Sequence, residues 1–139
     1  MNVEIVREVL EARINLDPRL DSTWDGIQAW LHPDFEYRED PSWPGGGTHS
    51  GIAAFRAAVT EYYDALDDVC FDPEEFIDAG DRVLVLSTLR ARGRSGARVE
   101  TQQAGIFTVR DGKVASWQVC LDREEALRLL GLQAESQTA

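Results

Sequence analysis

Basic side chains are scarce in this sequence. Its 139 residues hold 14 Lys and Arg against 25 Asp and Glu, a formal net charge of −11. A chain this acidic repels phosphate backbones and anionic headgroups, so neither nucleic acid nor membrane is an expected partner. Long apolar runs are missing as well. None approaches the roughly 20 residues that a bilayer-crossing helix needs. Only two cysteines, Cys70 and Cys120, are present. They make no disulfide framework and read as small buried thiols. With two histidines and no ligand spacing, a metal site is not expected. Gly45-Gly46-Gly47-Thr48 lacks the lysine of a phosphate loop, and no G-x-S-x-G nucleophile turn occurs. No cofactor is expected either. Met1 to Glu8 carry acids and no basic stretch, which predicts no signal peptide and a cytoplasmic location.

What is present is enough apolar material for one core. The chain is 43% hydrophobic, and its length suits a single domain over 1–132 with a polar, frayed tail over 133–139. Val6, Leu10 and Ile14 recur at helical spacing until Asp17-Pro18 ends the segment. Ser22 can cap a second short helix with Trp24, Ile27, Trp30 and Leu31 on one face, stopped by His32-Pro33-Asp34. Phe35 to Glu39 alternates as a strand. After a Pro/Gly-rich loop, Ser50 can cap a third helix carrying Ile52, Phe55, Val59, Tyr62 and Leu66.

Strands follow. Val69–Ile77 reads as a strand that Pro73 interrupts. Val83 to Arg92, Val99 to Val109 and Val114 to Leu121 continue the run, with Asp111-Gly112 as a two-residue hairpin turn. Asp122 caps a closing helix, with Glu125 as its capping-box partner and Gly131 as its stop. Helices grouped ahead of an antiparallel meander predict an α+β fold. One curved sheet wrapped around three helices makes a cone-shaped α+β barrel with a hollow inside, a favoured ligand site.

Several stretches in this order carry a family resemblance. They are Trp24-Asp25-Gly26-Ile27 through Leu31-His32-Pro33-Asp34, Glu39-Asp40-Pro41, Ser50-Gly51-Ile52-Ala53-Ala54-Phe55, and Val109-Arg110-Asp111-Gly112-Lys113-Val114 with Trp117 and Leu121 to Leu127. Together they resemble the SnoaL-like branch of the nuclear-transport-factor-2-like superfamily, which includes polyketide cyclases. Ketosteroid isomerase and limonene epoxide hydrolase share its fold. The resemblance implies a pocket on the concave face of the sheet and, in isomerase-like members, a general base at the end of the first strand. Here that place reads Glu39-Asp40-Pro41. Alternation puts Tyr37 and Glu39 on one face and Asp40 on the other, so Glu39 is preferred and Asp40 is the alternative.

The resemblance also marks departures. The isomerases' oxyanion tyrosine has no counterpart on the first helix, and their second acid falls at Gln103 or Ala104. The epoxide hydrolases' Asp-Arg-Asp set falls on Thr88, Leu86 and Val119. The expected chemistry therefore rests on other groups. Glu39 is the candidate proton shuttle, Tyr37 the oxyanion donor, and His49 a general acid or base at the mouth. Trp30, Phe55, Val59 and Tyr62 are expected to contact a ligand from the helices. Trp117, Val119 and Leu121 form an apolar wall, Thr101 and Gln103 add polar contacts, and Trp43 can act as a lid. Arg90, on the face assigned to Leu84, Leu86 and Thr88, can clamp a carboxylate or pair with Glu39.

Two functions stay open at this point. One is a cofactor-free isomerase, cyclase or dehydratase acting on an apolar or polycyclic carbonyl-bearing molecule. The other is a non-catalytic module that binds a hydrophobic ligand or forms a homodimer through the sheet.

Overall fold

Alternation and helical periodicity sort the described residues into six strands and four helices. The computed structural model describes residues 2–14, 21–40, 47–93 and 96–131, without the side chains of Ile14, Asp21 and Tyr62. Trp43, Arg94, the Asp17-Pro18 stop and the 133–139 tail lie outside the described residues, as does the Tyr62 side chain. The order is α1 (Asn2–Ile14), α2 (Asp21–Gln28), β1 (Leu31–Arg38), β2 (Thr48–Ser50), α3 (Ile52–Ala65), β3 (Leu66–Ala79), β4 (Arg82–Gly93), β5 (Arg98–Arg110), β6 (Lys113–Cys120) and α4 (Arg123–Leu129).

The strands form one sheet in the order β2-β1-β6-β5-β4-β3. β3 to β6 make the antiparallel meander, and β1 joins it parallel to β6. The fold is therefore α+β with a mixed sheet. Asp111 and Gly112 take φ values of 56° and 75°, the left-handed pair that a tight hairpin between β5 and β6 requires. Pro73 sits in β3, which is an edge strand, and the ladder shifts between Pro73 and Glu75. An edge tolerates the missing N–H.

Each face of the sheet buries its own cluster. On the inner face, Val6, Val9 and Leu10 of α1, Trp24 and Ile27 of α2, and Phe55 and Val59 of α3 pack on Phe35, Val83, Val85, Phe107 and Trp117. On the outer face, Ala126 of α4 closes over Leu84, Ala104, Ile106 and Cys120, with Leu127 and Leu130 beside it. Asp122 caps α4 by accepting from the N–H groups of Glu124 and Glu125. The Glu125 carboxylate accepts from Arg128, 2.6 Å away. Arg123 ties α4 to the sheet, donating to Glu74 and to the Ser87 carbonyl at 3.0 Å each.

Several local expectations change. Leu31, His32, Pro33 and Asp34 belong to β1 and not to a helix stop. The irregularity between Leu31 and Glu36 in the β1–β6 ladder absorbs the proline. Trp30 is a turn residue packed against the inner core. Ser50 ends β2, and the N-cap of α3 is Gly51, at φ 92° with no side-chain cap bond. Cys120 is buried as expected, but Cys70 lies exposed on edge strand β3.

Candidate functional site

A strand end, two helices and the inner sheet face enclose the main hollow. Tyr37 comes from β1, Glu39 and Asp40 follow it, Phe71, Leu89 and Gln103 come from β3, β4 and β5, and Trp117, Val119 and Leu121 come from β6 and its end. Arg13 of α1 and Ala58 and Val59 of α3 complete the lining of a hollow of about 590 Å³, open mouth included.

Register explains the aromatic part. Tyr37 is paired with His49 on β2 and with Trp117 on β6. The Tyr37 and His49 rings stack with centroids 6.0 Å apart, and Tyr37 meets Trp117 edge-on at 5.5 Å. Phe55, fully buried, supports Tyr37 from below at 5.0 Å. It belongs to the core behind the hollow and not to its lining.

The acids sit where the strand ends. Glu39 N–H donates to the Gly47 carbonyl at 2.9 Å, which closes the base of the intervening loop. The Glu39 carboxylate lines the hollow, and its Oε1 lies 2.8 Å from Nε2 of His49. Both side chains are mostly buried, at 16% and 29% exposure. His49 thus backs the acid from outside the lining. Asp40 also faces the hollow, contrary to the alternation. Regular pleating stops at Arg38, so parity no longer applies two residues on. Asp40 Oδ2 accepts from the Leu121 N–H at 2.8 Å and so joins the ends of β1 and β6.

The assignment of β4 is reversed. Its inner residues are Val83, Val85, Ser87 and Leu89, while Leu84 and Leu86 pack with the outer cluster. Thr88 therefore faces outward, where Arg123 first and the Thr88 hydroxyl second hold the Glu74 carboxyl below its usual range. Arg90 also points outward. It donates to Glu100 at 2.9 Å and approaches Asp72 at 4.0 Å, so it does not pair with Glu39. Thr101 pairs in register with Leu89 but stays outside the lining, as does Trp30.

Arg13 is the polar residue that the sequence reading passed over. Its signal was present: Val6, Val9, Leu10 and Arg13 fall at i, i+3, i+4 and i+7, a cation on an apolar stripe. Arg13 is only 8% exposed.

A family model described as "SnoaL-like domain" matches residues 8–117. The chain belongs to the SnoaL-like domain family. Among solved structures, this SnoaL-like chain is similar to an NTF2-like protein of unknown function from Burkholderia pseudomallei. They share 24% identity over 94% of this chain and 97% of that one, with a TM-score of 0.75. It is also similar to TerC, co-crystallised with polyporic acid, at 25% identity over 93% and 97% and a TM-score of 0.75. A protein with a ketosteroid isomerase-like fold from Catenulispora acidiphila, in complex with trimethylamine, shares 17% over 95% of each chain at a TM-score of 0.70. The last two values place that protein and this SnoaL-like chain in one fold. Comparison with curated proteins gave no match. No helix among the described residues is long and apolar enough to cross a membrane.

Proposed function

We propose that this SnoaL-like chain is an acid–base enzyme, working without a cofactor, that moves a proton on an apolar, carbonyl-bearing small molecule. The observation that carries this reading is the Glu39–His49 contact of 2.8 Å at an aromatic hollow. A carboxylate facing an aromatic-walled cavity and steadied by an imidazole is suited to take a proton from carbon. In the proposed step Glu39 removes the proton α to the carbonyl. The C–H electron pair shifts into the new C=C bond, and the carbonyl π pair moves to oxygen. The enolate oxygen is stabilised by a hydroxyl such as that of Tyr37. Returning the proton to another carbon gives an isomer. Alternatively the enolate re-forms its C=O as the α,β double bond is made and a β-hydroxyl departs, taking the proton from Glu39 to leave as water, which gives a dehydrated product. The co-crystal of TerC with polyporic acid supports a small organic ligand for this chain.

The test is deuterium uptake from D2O at the α-carbon, followed by NMR on a panel of bicyclic ketones that includes 2-tetralone. Wild type is expected to speed exchange, and Glu39→Gln to lose about 10²–10⁴-fold in rate with ligand affinity within about tenfold. Exchange at the wild-type rate in Glu39→Gln, or none in wild type across the panel, overturns the proposal. A ligand-binding role without catalysis is the second reading. Gln103 favours it, because that strand offers an amide where the resemblance implied a second acid.

A further inference from the structure

Among the described residues that line the cavity, Arg13 is the only cation, and Glu39 and Asp40 are the two acids. The acids have partners, since Glu39 meets His49 and Asp40 accepts from the Leu121 N–H. Arg13 does not have an acidic one. Among the described residues no carboxylate lies within ion-pairing distance of it. Its Nη1 donates to the Tyr63 hydroxyl at 2.6 Å, and its guanidinium lies 5.1 Å from the centroid of the same ring. Tyr63 thereby fixes the head group from one side and leaves most of its five N–H donors uncommitted. A second polar group shares this condition. Gln103 is 9% exposed, lines the same hollow, and has no hydrogen-bond partner among the described residues.

The uncommitted donors of Arg13 and the amide of Gln103 are not sealed away but open onto the hollow, where the oxygen atoms of a ligand can take them. An anionic oxygen group gains most there, because its hydrogen bonds to a guanidinium are charge-assisted. A guanidinium is the side chain best shaped to grip such a group with two parallel donors. We infer that Arg13, assisted by Gln103, is the anchor for a ligand carrying an anionic oxygen pair, a carboxylate or an ionised acidic enol, on an apolar ring body. The inference rests on the reading of the hollow as a small-molecule pocket, but not on Glu39 being a base. It narrows the substrate class from neutral ketones to acidic ones. The anion sits at Arg13 while the flat apolar body contacts Trp117 and Phe71.

Matched probes separate this from a structural role in which Arg13 merely staples α1 to α3 through Tyr63. 2-Naphthoic acid and methyl 2-naphthoate differ in the charged oxygen pair and share the ring body. Titration by quenching of tryptophan fluorescence, with calorimetry as a check, gives both affinities. Wild type is expected to bind the acid about ten- to a hundredfold more tightly than the ester. Arg13→Gln is expected to bring the two affinities together, Arg13→Lys to keep part of the preference, and Gln103→Leu to reduce it severalfold. Tyr63→Phe removes the staple bond and keeps the charge, so it is expected to lower the melting temperature and retain the preference. Equal binding of acid and ester to wild type overturns the anchor and leaves the pocket reading standing. A preference that survives Arg13→Gln in a folded variant also overturns it. Binding of neither probe overturns the pocket reading together with the anchor.

Discussion

Trp117 lies across Gly105. A Cβ built at position 105 would come within 2.9 Å of the indole Nε1 and within 2.9 Å of Cε1 of Phe107. Any retreat of the indole would push it into the hollow that it walls. Phe107 is fully buried and Trp117 nearly so, with Tyr37, Phe55 and Phe71 around it. The missing side chain at 105 is what lets the indole lie against β5 and form one wall of the hollow. Gly105→Ala is therefore expected to cost about 1–3 kcal/mol by overpacking. Urea denaturation followed by tryptophan fluorescence checks it, and an unchanged midpoint with unchanged emission would contradict the packing described.

His49 and Glu39 form one unit across the β1–β2 edge, so their substitutions are expected not to add. His49→Ala leaves the carboxylate unsupported, and proton-exchange activity is expected to fall about 10–100-fold while ligand affinity holds. Adding His49→Ala to Glu39→Gln is expected to cost little beyond Glu39→Gln alone, because the group that the imidazole steadies is already gone. Independent, multiplicative losses in the double-mutant cycle would place the two residues in separate roles.

Hydrophobic patterning carried the fold a long way. Amphipathic stripes, the Asp111-Gly112 turn and the Asp122 cap are local signals, and each leads to the element observed. The inner wall on β6 was legible for the same reason, since Trp117, Val119 and Leu121 alternate from a fixed hairpin. β4 misled because Val83 to Leu86 is apolar without a break. A strand buried on both faces has no alternation to read, so the hollow's Ser87 and Leu89 were exchanged for Thr88 and Arg90. β1 misled at both ends. Pairing with β6 overrides the helix-stop look of His32-Pro33-Asp34, and the end of the strand frees Asp40 to face inward. Arg13 was missed because a charge on a helix is usually read as its wet face. Only the closure of α1 over the sheet makes it an interior group.

The two thiols are expected to behave differently. Cys70 is exposed and Cys120 is buried. Burial first, then the nearby carboxylates of Asp40, Glu125 and Asp122, push the Cys120 thiol up to about 11. The thiolate is the reactive species, so a colorimetric disulfide reagent at neutral pH is expected to titrate one thiol in the native protein and two in urea. The same shift sets a pH trend. A thiol whose pKa is raised on folding contributes its stability below the unfolded value and loses it as pH rises through the folded one. Stability is thus expected to decline between about pH 9 and 11, and Cys120→Ala to flatten that part of the curve. Rapid labelling of both thiols in the native state would contradict the burial.

The Asp122 cap is expected to control how well α4 protects the outer face. The carboxylate accepts from the Glu124 and Glu125 N–H groups at 2.9 and 3.3 Å, two donors that a helix start otherwise leaves to solvent. Asp122→Ala removes both bonds, at an expected cost of about 0.5–2 kcal/mol. α4 is only seven residues long and holds on through Ala126, Leu127 and Leu130 together with the Arg123 tether. So short a helix has little propensity of its own, and most of the loss should appear as local opening. Opening lifts Ala126 from Leu84, Ile106 and Cys120 without disturbing the inner cluster on the other side of the sheet. Native-state labelling of Cys120 is therefore expected to accelerate in Asp122→Ala by about two- to thirtyfold, the opening equilibrium that such a cost implies. Asp122→Asn or Asp122→Ser, which keep a capping oxygen, should restore most of the protection. Labelling unchanged in Asp122→Ala would mean that the apolar contacts and Arg123 alone hold α4 in place.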